Sequence, residues 1–196
     1  MKLKIIANNI INFALNRVIE IIGVTILICG LFLLASLITF SPEDPNFIFP
    51  KNTEIINIFG FRGSFTADIF FQSFGIISLL IPFSLIASGL NTIMHKKVLL
   101  IIESVFYTIL YSLIGSLFFS FFYPVTFELY INGNGGFVGK YLETTFLNSI
   151  ININTQFAYY VILLLILILF LVSIQFSISF FIKFIKKVYN LIISNK

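Results

Sequence analysis

Apolar residues fill four long, unbroken stretches of this chain, at 18–40, 66–90, 98–122 and 157–182. Each is long enough to match the ~20 helical residues that cross a ~30 Å hydrocarbon core. Strands of a membrane barrel would instead alternate apolar and polar side chains. Backbone groups in lipid must find partners within the protein, and a continuous apolar run does that as a helix. The pattern therefore predicts an all-α membrane protein, with four transmembrane helices in one antiparallel bundle over residues 18–182. Residues 1–17 form a cytoplasmic or interfacial segment before it, and residues 183–196 a basic tail after it.

Within the first segment, Asn8, Asn9, Asn12 and Asn16 recur at helical spacing against Ile6, Ile10 and Phe13. This fits an interfacial amphipathic helix or a simple extension of the first span. Lys2 and Lys4 mimic the charged start of a signal peptide, but 18–40 is too long for its apolar region and no cleavage pattern follows, so it reads as a retained anchor. In the second span Pro82 predicts a kink near 79–82. The short 91–97 turn makes the second and third spans antiparallel neighbours. The third span carries Ser104, Thr108, Ser112, Ser116 and Ser120 at every fourth position, with Gly115 beside them. Such small-residue rows let membrane helices approach and bond across an interface, so these six residues are assigned to helix packing. In the fourth span, 161–172 is aliphatic and reads as lipid-facing. Beyond it Lys183, Lys186, Lys187 and Asn190 share a face, predicting a basic extension along the inner leaflet.

Composition agrees with this reading: 59% of residues are hydrophobic, 10% are charged, and mean hydropathy is +1.06. Charge sets the orientation. Of the 12 Lys and Arg, nine lie on one side (Lys2, Lys4, Arg17, Lys96, Lys97, Lys183, Lys186, Lys187, Lys196) and three on the other (Lys51, Arg62, Lys140). The positive-inside rule then puts both termini in the cytoplasm and the loops 41–65 and 123–156 outside. The net charge of +4 reflects topology and contact with anionic lipid, not nucleic-acid binding. The single cysteine, Cys29, falls within the first span and excludes an internal disulfide.

Candidate chemistry is sparse. Residues 134–141 contain Gly139-Lys140, yet Asn134 stands where a P-loop begins with glycine and Tyr141 where it ends with Ser or Thr. Glu20, Asp68 and Glu103 lie within a few residues of predicted helix ends, so no ionisable group marks a transport path at mid-membrane. Glu43, Asp44 and Asp68 read as a solvated acidic group rather than a cation site, which would recruit more oxygen ligands. The lone His95 belongs to the basic turn. No cofactor, metal, nucleotide or catalytic constellation is expected.

The outer loops carry a more specific signal. The first span ends in Phe40-Ser41-Pro42-Glu43-Asp44-Pro45, and Ser41 is placed to cap a turn begun by Pro42. The second is entered through Asn57, Gly60, Gly63, Ala67 and Asp68, with Ser64 where the related pattern has alanine, and contains Phe74-Gly75. The second loop has Gly135-Gly136-Phe137-Val138-Gly139. In order and position these resemble the amino-terminal membrane region of the FtsK family, the bacterial septal DNA translocases. The resemblance spans nearly the whole chain. It implies a multi-pass protein of the bacterial inner membrane at the division septum, self-assembling and contacting membrane proteins of the division machinery. Ser41, Pro42, Asp44, Pro45, Asn57, Gly60, Gly63, Asp68, Gly135, Gly136 and Gly139 are its motif positions. These 196 residues hold no Walker motif and no DNA-reading domain, so ATP hydrolysis and DNA translocation are not carried over. The chain reads either as the membrane part of a longer system or as a short relative. The competing reading is a small channel or transporter accessory subunit.

Overall fold

The computed structural model describes residues 2–44, 54–124 and 132–176, and the described residues contain helices and no strand. α1 spans Lys2–Ile38. It runs as one helix through the first span and the segment before it, which selects the extension over a separate amphipathic helix. At ~1.5 Å per residue it is roughly 55 Å long, nearly twice a hydrocarbon core. α2 covers Gly60–Phe74, a 3₁₀ segment Gly75–Leu80, α3 Ile81–His95 and α4 Leu99–Phe122. α5 (Gly136–Glu143), α6 (Phe146–Ile153) and α7 (Thr155–Ser173) follow. Among the described residues, four stretches are long and apolar enough to cross a membrane: Asn9–Ile38, Gly60–His95, Leu99–Phe122 and Thr155–Ser173.

The long helices pack as antiparallel neighbours. Gly23 of α1 lies against Ile93 of α3, and Gly30 against Ile86. A Cβ on Gly89 would stand 2.7 Å from the backbone nitrogen of Leu27, so glycine sets the spacing of this pair. α4 meets the 3₁₀ segment through Gly115 against Ile77, and α7 through Tyr111–Phe170 and Phe118–Tyr159 ring contacts. At the end of the bundle that carries the α3–α4 turn, Glu20 joins Arg17 at 2.5 Å and Lys96 at 2.9 Å, tying α1 to that turn. A buried polar knot ties α3, α4 and α7 together. Ser84 Oγ shares hydrogen bonds with Tyr111 Oη at 3.0 Å and Ser173 Oγ at 2.7 Å. Gln175 Nε2 donates to the Leu100 carbonyl at 2.7 Å. In a core without water such groups are bonded to one another because nothing else can satisfy them.

Three features depart from the sequence expectations. The second span is interrupted earlier than Pro82. Gly75 sits at φ +69, ψ −146, a conformation open essentially to glycine alone, and the α-helix ends there. Pro82 falls instead in the first turn of α3, where its missing N–H costs nothing. Second, the loop 123–156 contains two helices, α5 and α6. Third, the last span begins at Thr155, with Asn154 Oδ1 accepting from Phe157 N at 3.0 Å. The basic extension expected at Lys183, Lys186 and Lys187 lies outside the described residues, as does Pro45.

Candidate functional site: the cap

The cap starts where α1 ends. The Ser41 carbonyl accepts from Asp44 N at 3.2 Å and its Oγ from Glu43 N at 3.3 Å, which closes a turn through Pro42. This turn aims the Asp44 carboxylate inward, where it is 1% exposed. Its two oxygens accept from Ile56 N at 2.8 Å and Asn57 N at 3.0 Å. The carboxylate thus binds backbone amides of the returning chain, and Asp44 and Asp68 are buried rather than parts of the solvated acidic group that the sequence suggested, while Glu43 is exposed.

Asn57 then reaches back. Its Nδ2 donates to the carbonyls of Ser36 at 2.9 Å and Thr39 at 3.3 Å, and its Oδ1 accepts from Phe59 N at 3.2 Å. These carbonyls belong to the last turn of α1 and the residue after it, where helical partners run out. Asn57 therefore closes α1 and opens α2 with one side chain. Gly63 lies against Asn57 Oδ1, where any Cβ would collide. α2 crosses the C-terminal part of α1, its start beside Phe32 (Phe32–Phe59 rings, 4.7 Å) and its end beside Phe40 (Phe40–Phe71 rings, 4.9 Å).

The second loop locks onto the break in the second span. Ile76 N donates to the Asn134 carbonyl at 2.9 Å, and Asn134 Nδ2 donates to the Tyr123 carbonyl at 2.5 Å. Asn134 is 0% exposed. A Cβ on Gly75 would strike the Asn134 carbonyl, and one on Gly136 (φ +63) would lie 2.6 Å from Gly75 N and Ser73 O. Gly135 and Gly139 rest on α4 at Ser116 and Ser120 in the same way. Ser116 Oγ donates to the Phe74 carbonyl at 2.9 Å, taking up an acceptor at the end of α2. Ser120 Oγ donates to Glu143 Oε2 at 2.6 Å, fixing the far end of α5.

The motif positions thus fall into two junctions joined by α2. Asp44, Asn57 and Gly63 make one; Gly135, Gly136 and Gly139, with Gly75, make the other. Gly60 (φ +59) starts α2 with open space around it. Asp68 is buried and sits eight residues into α2, not at its N-terminus as the sequence suggested, because the helix begins at Gly60. Gln72 Nε2 reaches its carboxylate at 3.4 Å. On α4, Ser104, Ser112, Gly115, Ser116 and Ser120 are buried. Ser104 Oγ points to the Ser84 carbonyl at 3.4 Å, and Thr108 bonds its own helix at the Ser104 carbonyl. Asn134 was not among the candidate residues. Its one sequence signal is position: an asparagine between Gly133 and Gly135.

Among the described residues, four apolar helical stretches and a cap built from the connections at one end of them define a multi-pass, helical membrane domain. The family model for the 4TM region of DNA translocase FtsK/SpoIIIE matches residues 16–187. The chain belongs to that family, and the match is to its membrane region. Comparison with curated proteins and with solved structures gave no match.

Proposed function

We propose that this domain is the inner-membrane anchor of an FtsK-like DNA translocase system. It assembles with itself and contacts division-machinery membrane proteins at the septum, linking cell division to chromosome segregation without motor activity of its own. The observation that carries the reading is the cap. Residues 41–44, 57–63 and 135–139 are far apart in sequence, yet they gather at the two ends of one helix, α2: Asp44 binds the chain that enters it, Gly63 packs on Asn57 in its first turn, and Gly136 packs on Ser73 and Gly75 where it ends. A plain anchor needs only apolar length. A rigid outward structure held by backbone-directed bonds suits recognition, and Arg62 and Lys140 stay exposed on it. The freed backbone groups at the Gly75 break are taken up by Asn134 and Ser116, so the broken helix ends bind protein rather than facing a solute as the broken helices of transporters do.

The test is a fluorescent fusion of the domain in dividing native cells. The expected result is a midcell band that the Asp44→Ala/Asn57→Ala variant loses while still fractionating with membranes. Uniform membrane fluorescence of the unmutated fusion removes the division assignment. A conductance in liposomes that scales with protein amount replaces it with the channel reading.

A further inference from the structure

The second outer loop carries a helix whose exposed face is apolar. α6 has no charged residue in FLNSIINI. Thr145 caps its start, its Oγ1 accepting from Leu147 N at 3.3 Å. Asn154, at φ −150 and ψ 91, ends it and starts α7, so a single extended residue turns the axis of α6 away from that of the spanning helix. At ~100° per residue, α6 has three distinct faces. Ile151 is buried toward the bundle at 4% exposure. Asn148 and Asn152 form a polar ladder, joined by a 2.7 Å bond from Asn152 Nδ2 to Asn148 Oδ1. Phe146, Ile150 and Ile153 share the remaining face and are 72%, 54% and 83% exposed.

Water is a poor environment for three large apolar side chains held side by side on a capped helix. Across the single residue Asn154 this helix leads into α7, whose aliphatic stretch 161–172 reads as lipid-facing. Phe157 and Tyr160 are exposed in the first turns of α7, and Leu164 and Leu167 continue down that helix. Tyrosine at this level is also where an aromatic belt meets the headgroups. We infer that α6 is an interfacial helix seated in the outer leaflet, with Phe146, Ile150 and Ile153 among the upper acyl chains and the Asn148–Asn152 ladder toward water. Without a cation on α6, apolar area alone holds it, so its seating does not depend on anionic lipid. This assignment is independent of the division reading.

The chain contains no tryptophan, which makes a single introduced indole a clean reporter. Full-length protein carrying Phe146→Trp, Ile150→Trp, Ile153→Trp or, as the opposite-face control, Asn152→Trp is reconstituted in phosphatidylcholine vesicles with bromines high on the acyl chains. The expected result is loss of emission to brominated lipid at 146, 150 and 153, with protection from aqueous acrylamide and no change on adding phosphatidylglycerol. The 152 reporter shows the reverse quenching. Acrylamide quenching without bromine quenching at the three apolar sites would overturn the proposal by putting the helix in water. Protection from both quenchers would overturn it in favour of a protein contact, including one with a second copy.

Discussion

Asn57 shows how much one side chain carries at a membrane helix end. It donates to the Ser36 and Thr39 carbonyls and accepts from Phe59 N while 3% exposed. Asn57→Ala strands buried carbonyls and is expected to cost about 1–3 kcal/mol, read as lowered resistance of the purified protein to denaturation in detergent. Gly75 and Gly60 make a second, paired prediction. Both have positive φ, but Gly60 has open space while a Cβ on Gly75 meets the Asn134 carbonyl. Gly60→Ala should cost only the left-handed penalty of about 1–2 kcal/mol. Gly75→Ala should cost clearly more, and equal losses would mean that the Asn134 contact is absent. At this scale the sequence was partly legible. Ser-Pro, Gly-Gly and the Asn–Gly spacing mark segments that the fold brings together at the two junctions. They did not reveal Asn134, because what an asparagine bonds depends on which backbone the fold brings to it.

Among the elements, α4 carries the cap on one face. Ser116 is 0% exposed, donates to the Phe74 carbonyl, and has Gly135 and Gly139 against its backbone. Leucine at Ser112 and Ser116 should displace α5 from α4, costing about 1–3 kcal/mol through overpacking and about 1 kcal/mol more from the lost bond. Thr108→Leu, at a half-buried site bonded within its own helix, should be nearly silent in the same detergent melt. An unchanged melt for the double variant would put the row against lipid. Hydropathy could not resolve the break in the second span. In a bilayer, residues facing lipid and residues facing other helices are both apolar, so α2 and α3 merge into one run. Pro82 was the visible helix breaker, yet in a first helical turn it breaks nothing, and the positive φ of Gly75 acts instead. α6 went unread for a different reason: eight residues with asparagines on one face look like loop until their caps are known.

For the whole molecule, the four-span architecture was legible because bilayer thickness and backbone hydrogen bonding leave so few solutions. The nine-to-three division of Lys and Arg predicts the orientation, with both termini inside and the cap outside. Labelling of single cysteines in intact cells by a membrane-impermeant thiol reagent tests it directly, in a Cys29→Ser background. Asn134 looks suitable from sequence but is fully buried, so the reporters belong at Glu54 and Thr144 on the cap and Lys97 in the turn between α3 and α4, all exposed. The account predicts labelling at 54 and 144 in intact cells, and at 97 only after the membrane is opened. Labelling at 97 alone in intact cells would invert the molecule and contradict it.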